Sequence, residues 1–438
     1  MRKIFYIEVY FIVLWYSLGN RRISSLILLS YSALVVLNQY TWINYATISN
    51  LISQIYHVSS FDVGLLDIIF PLTYIPLAIP VGIMIDKFGY RSAVIFGGLL
   101  MTLFSFFRLA NFDFLFIFLG QLGVAIAQPF LLNSSAKLAK TEFSGEMSTL
   151  AIGISTLSIF IGIATGTLIP SIFVTNFSSL VTMTIYSSLV MVVFSIIFIA
   201  SSILKGNSSN IKEKNLMAIK ELKTLISNKN LASLYWLLLI EMGIFIGILT
   251  WIDNILGYLN FSEFQIGLIA LSLIIGGIVG SFFVPLISVK IGSRRLIVMT
   301  ALIISLPAVI LYAIISNFPL ILISNFVLGF FMLGAFPIII DWTSELSGKV
   351  LAGSSISILY LFGNIGGTVI PLVMIPLTSF SPNHSFLTTF LVLDALTLFM
   401  VYTISKVRDV GENQVEYTSI KRRAFLQKNK NIKHDKRT

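Results

Sequence analysis

Apolar residues fill this chain in long, nearly unbroken runs that are separated by short polar turns. An α-helix needs about 20 apolar residues to cross a hydrocarbon layer of about 30 Å, and these runs reach that length. The runs do not alternate apolar with polar residues, as the strands of a membrane barrel do. The pattern therefore predicts about twelve membrane-spanning helices, at residues 23–48, 62–84, 92–110, 113–138, 147–173, 180–204, 231–258, 264–288, 295–316, 318–343, 351–378 and 384–405.

The longest polar stretch between two runs divides the predicted helices into two halves. It covers residues 205–230 and ends in leucines and isoleucines at helical spacing among lysines, which predicts an amphipathic helix on the membrane surface. We expect an N-terminal bundle of six helices at 21–204 and a C-terminal bundle of six at 231–405. Residues 1–20 form an apolar extension of uncertain role, and residues 406–438 form a basic tail.

The two halves repeat each other. Three helix-packing residues of the first half recur in the second half, each 201 residues later (363 − 162 = 201). They are Gly162, Gly166 and Pro170, followed by Gly363, Gly367 and Pro371. The repeat predicts an all-α membrane protein of two pseudo-symmetric six-helix bundles, an arrangement that places a substrate site between the halves near the membrane midplane.

Composition and charge support a membrane location. The chain is 56% hydrophobic and 11% charged, whereas a soluble domain carries about 25% charged residues. The net charge of +10 comes from lysines and arginines that flank the apolar runs, nearly all on one face. By the positive-inside rule we expect a multi-pass protein of the cell (plasma) membrane with both termini in the cytoplasm. We expect membrane lipid and a small-molecule substrate as partners, no nucleic acid, and a monomer.

Several kinds of chemistry find no support in the residues. The chain has no cysteine and three histidines, which fall at span ends or in the tail, so we predict neither a metal site nor a cofactor. It carries no Gly-rich nucleotide-binding loop of the Lys-Ser/Thr kind. Because no nucleophile, base and acid occur together, we predict that the chain is not an enzyme.

The most specific short motif lies between the second and third predicted helices. It contains Gly82, Asp86, Lys87, Gly89 and Arg91. We expect Gly82 to allow close helix packing and Gly89 to allow a tight reversal. The motif resembles the signature of the major facilitator superfamily, and the resemblance implies that fold and transport by alternating access. The charged residues are then expected to latch the cytoplasmic helix ends in one state and release them in the other.

A weaker copy of the motif follows in the second half. Gly292 and Arg294 repeat Gly89 and Arg91, but Val289 occupies the place of the acid, so any latch there is expected to be weakened. Asp341 and Glu345, at the cytoplasmic end of the tenth predicted helix, are expected to belong to a charge network at that end.

Most of the chain from about residue 21 to residue 371 also resembles a narrower family, the transporters named for the feline leukaemia virus subgroup C receptor. The resemblance links this chain to choline and ethanolamine, and to haem. It rests on Arg21-Arg22, Gln39 to Tyr45, Ile48 to Asn50, Tyr74 to Leu77, Gly120-Gln121, Ala127-Gln128, Gly243, Gly247, Gly329 to Met332, Pro337, Glu345 and Ser354-Ser355.

The same resemblance implies a set of substrate-binding residues. A first-span tryptophan and a fourth-span glutamine line the cavity in that family, and they correspond to Trp42 and Gln128. Trp251 lies within a position or two of a seventh-span aromatic, and Tyr360 takes the place of a second glutamine. An indole face attracts a quaternary ammonium by about 1–2 kcal/mol in a dry site, so this set favours a small organic cation. The alternative for each aromatic residue is packing or a place at the membrane interface.

Four acids fall inside the apolar runs, where burying a carboxylate costs about 3 kcal/mol. Asp67, Glu241 and Asp253 are candidates for countering a cationic substrate or relaying a proton, whereas Asp394 is expected to be structural.

The predicted function is a secondary transporter that moves a small organic solute by alternating access, with a choline- or ethanolamine-like cation as the candidate substrate. Three alternatives stay open. They are a proton-coupled exporter of drugs or metabolites that uses Glu241 or Asp253, a haem exporter, and a membrane receptor that binds a ligand without transporting it.

Overall fold

The structure is a computed structural model of the 438-residue chain. It describes the backbone of residues 2–109, 113–144, 146–206, 219–257, 259–314, 317–381 and 386–409. Side chains are described for these residues with the exception of 2–21, 86, 146, 149, 219–222, 312–314, 349, 350, 352 and 353. Most of the predicted linker and nearly all of the basic tail therefore lie outside the described residues.

The described part of the chain is helical and contains no strand. The helices are α1 (Arg2–Ile43), α2 (Ser49–Tyr56), α3 (Ser60–Phe107), α4 (Phe114–Leu132), α5 (Ser135–Glu142), α6 (Glu146–Phe173), α7 (Phe177–Lys205), α8 (Ile219–Ser227), α9 (Lys229–Thr250), α10 (Ile252–Gly257), α11 (Glu263–Ile291), α12 (Arg294–Ile314), α13 (Phe318–Thr378) and α14 (Leu387–Ser405). A short 3₁₀ helix, Ala46–Ile48, precedes α2.

Twelve segments among the described residues are long and apolar enough to cross a membrane, which confirms the predicted number. They are span 1 (Arg22–Tyr56), span 2 (Ser60–Ile85), span 3 (Lys87–Phe107), span 4 (Phe114–Glu142), span 5 (Leu150–Phe173), span 6 (Phe177–Lys205), span 7 (Lys229–Thr250), span 8 (Glu263–Ile291), span 9 (Arg294–Leu311), span 10 (Phe318–Gly348), span 11 (Ser354–Thr378) and span 12 (Leu387–Ser405).

Glycines make the sharp reversals between consecutive spans on the face that carries the basic turns, here called the basic face. Gly89 has φ 85° between spans 2 and 3, and Gly348 has φ 76° in the middle of α13. These dihedrals belong to a region that costs a glycine little and other residues much more. The expected role of Gly89 in a tight reversal is confirmed.

Spans 1 and 7 are interrupted near their ends on the opposite face. Span 1 leaves the α-helix after Ile43 and resumes as α2 at Ser49. The helix of span 7 ends at Thr250, and the short α10 follows from Ile252. Hydropathy alone predicts continuous helices at both places. Discontinuous helices are typical of the substrate-handling regions of transporters, so the breaks direct attention to these two spans.

The described residues fall in two compact units. The first takes its residues from Met1–Leu216, Met242–Ile274 and Asn364–Phe386, and the second from Met217–Glu241, Ile275–Gly363 and Leu387–Thr438. The boundaries predicted from the sequence, at residues 204, 231 and 405, stay a prediction.

Small residues let helices pack closely inside each unit. In the first unit, a Cβ added to Gly162 would lie 2.5 Å from the Val36 carbonyl oxygen, and one added to Gly166 would lie 2.7 Å from that of Tyr40. Span 5 therefore packs directly on the backbone of span 1, as is usual where helices associate in lipid. In the second unit, Gly280 packs in the same way on the backbone of span 10.

We expect Gly166→Ala to destabilise the protein by about 1–3 kcal/mol, because its methyl group overlaps the backbone of span 1. Gly153→Ala, in the same helix, is the matched control, because a Cβ there meets no atom within 4 Å. It should be neutral or slightly stabilising, since alanine is the better helix former. Thermal unfolding in detergent measures both variants, and equal melting temperatures would contradict the packing described.

Candidate substrate site and charge clusters

Trp42 lies just before the break in span 1 and is held against span 2. Its indole Nε1 donates a hydrogen bond to the backbone oxygen of Asp67 at 3.0 Å. Its ring centroid lies 6.3 Å from that of Phe70, and the side chain is buried. An indole that is buried with its N–H satisfied has a fixed orientation, which is what a binding platform requires.

Asp67, whose backbone oxygen binds Trp42, carries a deeply buried carboxylate. The residue is 1% exposed, and its Oδ1 atom has no hydrogen-bond partner. No ion pair involves it among the described residues. A buried carboxylate without a partner is strongly unfavourable unless it takes up a proton or a cation. The sequence indicated Trp42 and Asp67 separately, and the structure brings them together.

Gln128 is buried in span 4. Two helical turns earlier on the same span, Gln121 donates a hydrogen bond from Nε2 to the Thr41 backbone oxygen of span 1 at 2.7 Å. From span 1, Asn38 donates to the Val124 backbone oxygen at 3.2 Å. Spans 1 and 4 are thus joined by amide hydrogen bonds. The resemblance found in the sequence includes Gln121 and Thr41, but it does not include Asn38.

Trp251 is completely buried in the first unit. Its Nε1 donates to the Pro371 backbone oxygen at 2.9 Å, and its ring stacks on Phe61 with centroids 6.3 Å apart. A Cβ on Gly64 would overlap the ring. Trp251 therefore fills a notch in span 2 beside the break in span 7, where it sets the spacing between helices.

Asp253 lies buried in α10 of the first unit, and three further predicted residues lie in the second unit. Tyr360 is 40% exposed, and its ring meets that of Phe336 edge-on at 5.8 Å. Glu241 is buried, and its Oε2 atom has no hydrogen-bond partner. Asp394 is buried in span 12. Among these, Glu241 resembles Asp67 in being a buried acid with an unsatisfied oxygen.

The motif after span 2 forms an ion pair with an acid that the sequence analysis missed. Arg91 Nη2 lies 2.6 Å from Glu142 Oε1, and the Glu142 side chain is 1% exposed. Ser24 donates to Glu142 Oε2 at 2.9 Å, Tyr90 donates to Oε1, and Lys205 lies 3.6 Å from Oε2. This cluster ties spans 1, 3, 4 and 6 together at the basic face.

Other residues of the motif behave differently from expectation. The close packing expected at Gly82 is wrong, because a Cβ there meets no atom within 4 Å. The Lys87 ammonium lies over the exposed Phe88 ring, 5.0 Å from its centroid. The side chain of Asp86 lies outside the described residues.

The second half carries an equivalent ion cluster. Arg294 lies 2.7 Å from Asp341 Oδ2 and 2.5 Å from Glu345 Oε2, which confirms the charge network expected there. The expectation of a weakened latch considered only Val289. It did not connect Arg294 with the two acids of the expected charge network. Glu345 follows Glu142 by the same interval that separates Arg294 from Arg91 (345 − 142 = 203 and 294 − 91 = 203). That interval was the signal in the sequence that would have found Glu142.

We expect Glu142→Gln to cost about 3 kcal/mol of stability, because it leaves Arg91 with no carboxylate in a largely buried site. Glu345→Gln should cost about 1 kcal/mol or less, because Arg294 keeps Asp341 and the Glu345 side chain is 31% exposed. Thermal unfolding of the two variants compares the clusters. A larger loss for Glu345→Gln would show that burial does not determine the strength of these pairs.

Comparison with known proteins agrees with this architecture. The family model of the Major Facilitator Superfamily matches residues 29–371, and a second match covers residues 231–436. Among solved structures, a bacterial homologue of the human lysosomal transporter Spinster, inward-facing and unoccupied, superimposes with a TM-score of 0.69 at 13% identity, covering 88% of this chain and 95% of that one. A mutant of the nucleoside transporter NupG gives a TM-score of 0.69 at 13% identity, covering 87% and 99%. At this identity the likeness concerns the fold alone.

Curated relatives cover most of the chain. The choline/ethanolamine transporter FLVCR2 of Rattus norvegicus is 24% identical over 420 residues, 89% of this chain and 77% of its own length. The choline/ethanolamine transporter FLVCR1 of Felis catus is 26% identical over 397 residues, 84% of this chain and 70% of its own. These relatives support the resemblance found in the sequence. The family-model match, the twelve apolar helices and the duplicated ion cluster lead to one conclusion: the chain belongs to the major facilitator superfamily.

Proposed function

We propose that this chain is a secondary transporter that moves a small organic cation of the choline or ethanolamine type by alternating access. The superfamily supports transport, and relatives at about 25% identity carry the names of choline/ethanolamine transporters. The residues themselves supply the argument for a cation.

The observation that carries the proposal is the link between Trp42 and Asp67. The indole N–H of Trp42 binds the backbone oxygen of the residue whose buried carboxylate has no charged partner. A cation beside both residues would gain the attraction of the ring face, about 1–2 kcal/mol, and would neutralise the acid. The aromatic ring provides selectivity for an alkylammonium, and the acid provides the requirement for positive charge.

The other predicted residues take supporting roles in this proposal. Gln128 is assigned the hydrogen bond to the hydroxyl group that both candidate substrates carry, because it brings a buried amide from span 4. Trp251 acts by packing beside the break in span 7, since it is buried between Gly64, Phe61 and Pro371. Tyr360 lies in the second unit with a partly exposed ring, and its role in binding stays a prediction.

The charged clusters at the basic face act in the proposal as braces. Arg91 and Glu142 belong to one unit, and Arg294, Asp341 and Glu345 belong to the other. An ion pair within one unit holds its helices together while that unit moves, as rigid-body rocking requires. We therefore assign the motif around Arg91 to bracing its half of the molecule, in place of the releasing latch that the sequence suggested.

The proposal includes orientation and assembly. The basic face lies in the cytoplasm, with both termini, in the cell membrane, because lysines and arginines concentrate there. The chain acts as a monomer surrounded by lipid.

Counterflow of labelled choline and of labelled ethanolamine in proteoliposomes tests the substrate. We expect saturable exchange by the natural chain and a loss of at least about tenfold in Asp67→Asn and in Trp42→Leu, since each removes one attraction for the cation. Trp42→Phe keeps a ring and should retain more activity than Trp42→Leu.

Asp62→Asn is the matched control, because Asp62 lies near the start of the same helix in an exposed capping box that asparagine can preserve. Its transport should equal that of the natural chain. Saturable exchange that is unaffected in both Asp67→Asn and Trp42→Leu would contradict the proposed site.

A second candidate function, proton-coupled export, is favoured by Glu241, because its Oε2 atom is also unsatisfied. If Glu241 carries a coupling proton, Glu241→Gln should abolish transport driven by a pH gradient and leave substrate exchange at equal pH intact. Transport by the natural chain at an unchanged rate after the pH gradient is collapsed with an ionophore would exclude this candidate.

A further inference from the structure

The two interrupted spans meet at the face opposite the basic turns. The segment α2 continues span 1 beyond its break, and α10 continues span 7 beyond Thr250. Both segments belong to the first unit, and they lie against each other. Each is short, with eight residues in α2 and six in α10, and each is separated from its long helix by a break.

Four hydrogen bonds join the two segments. The Asn50 backbone N–H donates to Asp253 Oδ2 at 2.6 Å, and the Asn50 side-chain Nδ2 donates to the Asp253 backbone oxygen at 3.5 Å. Ser49 Oγ donates to Asn254 Oδ1 at 3.1 Å, and Asn254 Nδ2 donates to Asn50 Oδ1 at 3.4 Å. We call these four residues, Ser49, Asn50, Asp253 and Asn254, the latch. They lie at the face opposite the basic turns and are distinct from the charged latch that the sequence suggested around Arg91.

The latch is closely packed. A Cβ added to Gly257 would lie 2.8 Å from Asn50 Nδ2, so a larger residue there would displace the Asn50 side chain from the latch. Thr250 lies on the side of the latch that faces the long helix of span 7, where it is buried and its Oγ1 has no partner. Thr250 is only three residues from Asp253, so we expect opening of the latch to expose it.

We propose that Asp253 is a proton-binding site that controls this latch, which closes when the carboxyl group holds a proton and opens when the proton is lost. The inference goes beyond the proposed substrate and does not depend on which solute is carried.

The surroundings of Asp253 favour its neutral form. The residue is 2% exposed. Burial raises the pKa of the Asp253 carboxyl to about 7, although the N–H of Asn50 favours the charged form, and the nearby Glu263 raises the pKa further. A protonated carboxyl still accepts from Asn50 through its carbonyl oxygen, and it gains an O–H donor for the acceptors around it.

Among the described residues, no lysine or arginine forms an ion pair with Asp253 that would hold its ionised form in the closed latch. The sequence has no lysine or arginine at residues 44–64, 246–270 or 364–386, which cover the segments packed around Asp253. In the described part of these segments, the titratable groups at the adjoining helix ends are Tyr45, Tyr56, His57, Asp62 and Glu263. Arg108, at the end of span 3, is bound to the Tyr45 hydroxyl at 2.8 Å.

The direction of the pH effect follows from linkage. An aspartate in an open, solvated latch has a pKa of about 3.9, so the closed latch binds the proton more tightly than the open latch. The closed state is therefore favoured in acid, and its advantage is lost as pH rises towards 7. Between pH 5 and pH 8 the ratio of closed to open should fall by up to about 100-fold.

Cysteine labelling tests the proposal directly, because the natural chain has no cysteine. A membrane-impermeant maleimide is applied to intact cells that express Thr250→Cys. Ser178→Cys, exposed at the same face, corrects for thiol ionisation and establishes which face is outside. We expect the corrected labelling rate of Thr250→Cys to rise about 10- to 100-fold between pH 5 and pH 8.

Three further variants decide the assignment. Asp253→Asn in the Thr250→Cys background should remove the rise with pH, whereas Asp62→Asn should leave it unchanged. Gly257→Ala should increase labelling at pH 5, because its methyl group displaces Asn50 while Asp253 stays intact. A flat pH profile in the parent, or an equal rise in Asp253→Asn, would overturn the proposal. Labelling needs no substrate, so a failed choline assay leaves this test unaffected.

Discussion

A charged side chain inside a membrane needs an ion-pair or hydrogen-bond partner, and the rest of the structure depends on this constraint. The acids within the spans differ in whether the protein supplies that partner. Glu142 has an arginine, a tyrosine, a serine and a lysine around it, and it holds four spans together. Asp67 and Glu241 each retain an oxygen without a hydrogen-bond partner. Because an unpaired buried acid is costly, its retention is the physical reason for assigning Asp67 to an external cation.

Each repeat of the chain contains a buried or partly buried arginine–glutamate ion pair. Arg91 with Glu142, and Arg294 with Glu345, occupy equivalent positions of the two repeats, next to glycines of positive φ at residues 89 and 292. The first pair is deeply buried. The second is more open, with Asp341 64% exposed, so salt should screen it more strongly. Each half is thus braced at the basic face by its own charges, and the two halves differ in how firmly.

The sequence predicted the features that depend on composition and local geometry. The twelve spans follow from the length of the apolar runs, and the reversal at Gly89 follows from glycine's freedom at positive φ. The breaks at residues 44–48 and at Trp251 were not predictable, because hydropathy continues through them. The contact between Trp42 and Asp67 depends on how spans 1 and 2 rotate against each other. The packing role given to Gly82 was wrong because local sequence does not show which helix face has a neighbour.

We infer that the indole of Trp42 and the carboxyl group of Asp67 hold the cation together, and a structure of the protein with bound choline would test this. The quaternary ammonium should lie within about 6 Å of the Trp42 ring centroid and beside the Asp67 carboxyl group. Choline bound elsewhere in the molecule, with Trp42 and Asp67 unchanged and apart from it, would refute this inference.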